Sequence, residues 1–279
     1  MQSNTTQIKP SSIKGFRAQI LHFPVASGSP KSDYVFFTDG LLVTRNDKIE
    51  FIGDYKTNIN QYDNLDVHDY SGKSPLPGFI DSHMHFPQTE MLASFGEQLL
   101  DWLTDYTFPV ENKFADTTYA SAIADVFLRQ LYRHGTTSAM VYSSVHKGAT
   151  DALFQAAQQH NMLLIAGKVC MDRNCPTFLQ DTAQSAQQDS ADLINSWHGK
   201  GRSHYVITPR FAPTSTEAQL AALGELAQQY PSVFIQTHLS ENHNEIAWVK
   251  SLYPKRKHYL DVYDHYGLVR KGAIFGHGI

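Results

Sequence analysis

Along the first 74 residues, apolar positions come in short alternating runs broken by turn-forming pairs. The stretch "DYVFFTDGLLVTRNDKIEFIGDY" holds two strand-like runs punctuated by Asp39-Gly40 and Asn46-Asp47, which predicts a small β-meander. After Pro75 the rhythm changes. Runs rich in β-branched and aliphatic residues alternate with longer segments of helical period, the mark of serial βα units around a parallel sheet. Strands are predicted in "GFIDSHMH", "GTTSAMVYS", "MLLIAGKVCM", "HYVITPRFAPT", "SVFIQTHLSEN" and "GAIFGHGI". Helices are predicted near 98–103, in "TTYASAIADVFLRQLYRHG", over 151–160, over 181–197, in "TEAQLAALGELAQQY" after a cap at Thr214 or Ser215, and up to Leu252. In the second of these, Ala120, Ile123, Ala124, Phe127, Leu128 and Leu131 fall on one face and Gly135 marks the stop. The pattern gives six strands, each but the last followed by helix.

Serial βα units build either an open doubly wound sheet or a closed barrel. The open sheet of dinucleotide-binding proteins needs a G-x-G-x-x-G turn after its first strand, and the chain has none. Polar residues instead crowd the C-terminal ends of the predicted strands: His83, His85, Arg210, His238, Glu241 and His277. In a barrel those ends share one mouth, where barrel enzymes keep their chemistry. The expected fold is α/β: a (β/α)8 TIM-barrel type with about six βα units over residues 75–279, after a small β domain over 1–74.

Composition narrows the partners. Hydrophobic residues make up 42% and charged residues 18%, as in ordinary folded proteins, and the net charge is −4. The longest basic run is "KRK" at 255–257, which argues against a nucleic-acid footprint. Cys170 and Cys175 form neither a disulfide framework nor a C-x-x-C pair and are expected to be reduced, in a cytoplasmic protein. The start of the chain is polar, without the apolar core of a signal peptide, and no apolar run nears the roughly 18 residues of a membrane span.

The strand-end residues carry the candidate chemistry. A His-x-His pair is weak by itself, since about one arises by chance in a chain with 14 His. Its context is stronger. Side chains at i and i+2 of a strand share a face, so His83 and His85 aim two imidazoles at one point of the barrel mouth, a geometry suited to zinc. His238 in "QTHLSEN" ends another strand and is read as a third ligand. Glu241, three residues on, is either a solvated first-turn carboxylate or a proton shuttle for a metal-activated water. His277 in "IFGHGI" is either a ligand or a neutral donor that polarises the substrate.

These segments resemble the amidohydrolase superfamily. "PGFIDSHMH" is common to many of its members. The continuation "FPQTEMLASFGEQLLDWLTDYTFPVE", with "TPRFAPT", "THLSEN" and "FGHGI", resembles the guanine deaminase family within it. The resemblance implies one zinc per subunit held by His83, His85 and His238, with Glu241 relaying protons and His277 beside the metal-bound water. It implies that Gln88, Arg210 and Phe211 hold the purine: a guanidinium suits a carbonyl oxygen, an amide offers donor and acceptor to ring nitrogens, and a phenyl supplies an apolar face. The implied reaction is hydrolysis of guanine to xanthine and ammonia in purine catabolism, by a homodimer acting on a small base. The alternative zinc deaminase design, with His-x-Glu and Pro-Cys-x-x-Cys, is absent.

Members of that family are longer, with two further βα units and a strand-eight aspartate that completes the metal site. No aspartate of this sequence is assigned that role. Three histidines plus water remain an accepted catalytic zinc set. A six-unit barrel is expected to leave strand edges unpaired, to fold poorly or lean on a partner, and to be weakly active. Two other readings stay open: an aminohydrolase acting on cytosine, a triazine or a nucleoside derivative, and an inactive chain that only binds metal or oligomerises.

Overall fold

The computed structural model describes residues 12–23, 34–94 and 98–279. Phe95, Gly96 and Glu97 of the family-like stretch therefore lie outside the described residues. The chain divides between Pro77 and Gly78 into two compact units.

The first unit is built on a four-stranded sheet. β1 (Ile13–His22), β2 (Val35–Arg45) and β3 (Lys48–Asp54) pair antiparallel, and β4 (Val67–Asp69) joins β1 in parallel, giving the order β3-β2-β1-β4. Asn46 and Asp47, with φ of 50° and 62°, make the predicted turn between β2 and β3, because two left-handed residues match the strand twist. Asp39-Gly40 does not turn the chain. Both residues lie inside β2, where the register with β1 slips between Ala18 and Ile20. Arg17 fixes the irregularity by donating from Nε to Asp39 Oδ1 at 2.7 Å, while Leu41 and Val43 continue the buried alternation beyond it.

In the second unit the described strands all pair with one another in parallel. β5 (Phe79–His85), β6 (Thr136–Tyr142), β7 (Leu163–Gly167), β9 (Ser203–Pro209), β10 (Phe234–Leu239) and β11 (Ala273–His277) follow one another across the sheet, and the short β8 (Val169–Cys170) adds to β9. The sheet curls until side chains from its two end strands touch, although β5 and β11 do not pair: the rings of His83 on β5 and His277 on β11 have centroids 5.1 Å apart. The result is the barrel-type wall expected from the sequence. The run "MLLIAGKVCM" is split at Lys168, a buried lysine whose Nζ donates to Asp181 at 2.6 Å.

Helices cover the outside of the wall. The helix Thr117–Arg133 is capped by Asp116, buries Ala120, Ala124, Phe127 and Leu128, and gives way to Gly135 at φ 84°. The helix Lys147–Gln159 begins earlier than the predicted 151, and Ala183–Trp197 begins after a capping box at Thr182. The helix Glu217–Gln229 is capped by Thr216 rather than Thr214 or Ser215. The other two hydroxyls are engaged elsewhere, Thr214 donating to the Phe211 carbonyl and Ser215 to Gln219 Oε1. His243–Leu252 follows β10, and a helix the sequence reading did not separate, Tyr259–His265, buries Tyr259, Val262 and Tyr263. Among the described residues no helix is long and apolar enough to cross a membrane.

Candidate metal centre and base-binding cavity

The site is assembled at the C-terminal ends of the barrel strands. Strand alternation sets His83 and His85 on the same side of β5, with ring centroids 5.5 Å apart. His238, one residue from the end of β10, comes across to them: its Nε2 lies 3.0 Å from His85 Nε2, and candidate ligand atoms of His83, His85 and His238 all fall within 4.8 Å of one another. Two nitrogens at 3.0 Å fit easily within the roughly 4 Å that one zinc spans between two imidazoles. The tautomer fits too. His238 Nδ1 faces the Arg210 carbonyl at 2.7 Å, and since a carbonyl only accepts, Nδ1 carries the proton and Nε2 turns its lone pair to the cluster. The donor set thus suits a divalent ion such as zinc.

Burial keeps these rings neutral. It holds the pKa values of His85 and His238 well below the usual imidazole range; on His238 the hydrogen bond to the Arg210 carbonyl is the main opposing effect, and the neighbouring imidazoles and the Arg210 charge add to the lowering of both. His83 is lowered by burial and then by His277. Tyr142, at the end of β6, forms a floor for the group: its ring stacks on His85 with centroids 4.6 Å apart and lies 4.4 Å from His238.

Glu241 and His277 form the next layer. Their side chains approach at 3.3 Å, and His238, Glu241 and His277 make a second convergent group that shares His238 with the first. Both side chains depend on unusual backbone. Ser240, just before Glu241, has φ 52°, and His277 itself has φ 73°, a left-handed conformation that costs a non-glycine residue energy and persists only where surroundings enforce it. Glu245 does so for Glu241. Its Oε2 accepts from the backbone N–H groups of Glu241 and Asn242 at 2.8 and 3.2 Å, and its buried Oε1 accepts from Tyr259 at 2.6 Å. Burial raises the Glu241 carboxyl above its ordinary range, partly countered by His277. A carboxyl raised in this way exchanges protons more readily near neutral pH.

A cavity of about 600 Å³ opens over the histidines, lined by Gln88, Arg210, Phe211, Glu241 and His277 among others. Gln88 reaches it from the helical turn Phe86–Met91, while Arg210 and Phe211 follow β9 directly. All eight residues singled out from the sequence therefore border one space, His83, His85 and His238 included. Sequence reasoning missed three others. Glu111 accepts two hydrogen bonds from Arg210 Nη1, at 2.9 and 2.8 Å, with both side chains buried. Glu245 and Tyr142 were passed over as well, although Tyr142 obeys the strand-end rule that found the histidines.

The Amidohydrolase family profile matches residues 75–279, and the chain belongs to that family. Within it the similarity is to guanine deaminases. The chain is 50% identical over 243 residues to the guanine deaminase of Escherichia coli (strain K12), an alignment covering 87% of this chain and 55% of that protein. The solved structure of E. coli guanine deaminase superposes with a TM-score of 0.90 at 47% identity, over 94% of this chain and 62% of that one. A guanine deaminase from C. acetobutylicum, solved with guanine bound in its active site, superposes with a TM-score of 0.85 at 31% identity, over 95% of this chain and 62% of that one. The chain thus spans little more than half the length of the E. coli relative.

Proposed function

We propose that the protein catalyses hydrolytic deamination of guanine to xanthine and ammonia. The observation that carries the reading is the convergence, on one cavity, of three neutral imidazoles, a raised carboxyl and a buried guanidinium. His83, His85 and His238 would hold zinc, which supplies the Lewis acidity that makes water nucleophilic near neutral pH. As water adds to the carbon bearing the exocyclic amine, Glu241 relays its two protons, one to the adjacent ring nitrogen and one to the amine, so that the carbon–nitrogen bond breaks, ammonia leaves and the new carbonyl forms. His277, 3.3 Å from Glu241, stabilises the oxygen that becomes the second carbonyl of the product. Arg210 donates to the carbonyl oxygen of guanine, Gln88 pairs with ring nitrogens, and Phe211 supplies an apolar wall for the base. The reading extends to a cytoplasmic homodimer serving purine catabolism, supported by the similarity to guanine deaminases.

Ammonia release from guanine by the purified chain, with and without added zinc, tests the proposal. Guanine is expected to be deaminated in preference to guanosine, because ribose needs space and hydroxyl partners that a site closing on a bare base does not offer. No release from guanine by the folded, zinc-loaded chain, or preferential release from cytosine, a triazine or a nucleoside, overturns it.

A further inference from the structure

We propose that Glu111 is a positioning residue for Arg210, and that the buried carboxylate–guanidinium pair selects a purine bearing a carbonyl over one bearing an amine at the same ring position. This rests on the reading above, in which Arg210 faces the base.

Glu111 and Arg210 are 1% and 2% exposed, so both charges are almost wholly withdrawn from bulk water. Both carboxylate oxygens take hydrogen bonds from the same nitrogen, Nη1. Among the described residues Nε and Nη2 make no hydrogen bond, and Arg210 lines the cavity. One edge of the guanidinium is therefore anchored and the other is left with donors for a ligand. Phe108, on the same short helix as Glu111, lies with its ring centroid 5.4 Å from the guanidinium carbon. A free arginine has four rotatable bonds and swings toward water. Here the carboxylate and the ring fix its plane.

The main chain of Arg210 ties that plane to the metal centre. Its carbonyl oxygen accepts from both Nδ1 and the backbone N–H of His238, at 2.7 and 3.1 Å. The position of the free guanidinium edge is thereby set relative to a metal ligand, and with it the ring atom presented for attack. Guanidinium N–H groups only donate. A carbonyl oxygen accepts from them, whereas an exocyclic amine meets them donor to donor and leaves buried donors unpaired, which sites of this kind reject strongly.

The test is binding of hypoxanthine and adenine to the zinc-loaded full chain by calorimetry, the two ligands differing in a carbonyl against an amine at one ring carbon and in the proton that hypoxanthine carries on the adjacent ring nitrogen. The unmodified chain is expected to prefer hypoxanthine. Glu111→Gln is expected to cut that preference by about tenfold or more, through weaker hypoxanthine binding with adenine affinity and zinc content unchanged. Glu111→Asp, which retains the charge, is expected to restore part of it. An undiminished preference in Glu111→Gln, or equal weakening toward both ligands as a merely structural clamp would give, overturns the proposal. If Glu111→Gln does not fold, Glu111→Leu, similar in size and also without charge, is read in its place, and an undiminished preference there overturns the proposal equally. Failure of the unmodified folded chain to bind hypoxanthine sinks the guanine reading itself, an outcome distinct from those at Glu111.

Discussion

At the residue scale, neutrality of the clustered imidazoles governs behaviour with pH. Burial holds His85 and His238 below the value of about 6.5 that a histidine has in the unfolded chain. Between their folded values and about pH 6.5 the unfolded chain binds protons that the folded chain does not, so stability rises with pH across that window. The metal-free chain is expected to have a lower urea midpoint at about pH 5.5 than at about pH 7.5, and His238→Asn to narrow the difference. Glu241→Gln keeps the shape of the side chain but removes its capacity to carry a proton. Turnover of guanine is expected to fall by about 10²–10⁴ with zinc content unchanged, read by steady-state kinetics beside metal analysis. Six of the eight candidate residues were legible because chemistry-bearing types recur at predicted strand ends, while Gln88 and Phe211 were read only from the family resemblance. Glu111 was legible by neither route. It is 99 positions from Arg210, and nothing in "TFPVEN" distinguishes a buried acid from a solvated one.

At the element scale, the closeness of β5 and β11 depends on a missing side chain. A Cβ at Gly276 would lie 2.5 Å from His83 Cε1, so the imidazole must move to make room. Gly276→Ala is expected to weaken zinc binding by tenfold or more while leaving helical content intact, measured by chelator competition and circular dichroism, since ligand placement within about 0.5 Å decides a metal site. Gly224, inside the helix Glu217–Gln229, plays a packing role: a Cβ there would sit 2.0 Å from the Tyr266 carbonyl oxygen. Backbone cannot yield as a flexible side chain does. Gly224→Ala is expected to cost about 1–3 kcal/mol in chemical denaturation despite alanine's better helix propensity. The existence of these elements was visible as hydrophobic period. Their ends were less so, because Thr214, Ser215 and Thr216 are all competent caps and only their competing hydrogen bonds choose among them.

At the scale of the barrel unit, three tyrosines bind the loops after β9 and β10 to the helices behind them. Tyr263 donates to the His238 carbonyl at 2.8 Å and accepts from Ala212 N–H, also at 2.8 Å. Tyr253 reaches the carbonyls of Ala212 and Ser215, and Tyr259 holds Glu245. The candidate ligand His238 is thus mounted on a hydrogen-bonded frame as well as on a strand. Since a metal binding only the folded chain stabilises it by mass action, added zinc is expected to raise the Tm with concentration and chelation to lower it. His83→Ala is expected to abolish that dependence, as followed by differential scanning fluorimetry.

The sequence alone determined the βα rhythm, the barrel class and the strand-end residues, because periodicity and side-chain alternation are local properties of the chain. Tertiary structure decided what those residues face. It brought β5 against β11, gave Arg210 a carboxylate from a distant helix, and forced His277 and Ser240 into left-handed backbone. Such pairings join positions far apart in the chain, and their energy comes from burial and from hydrogen bonds made only once the sheet has curled.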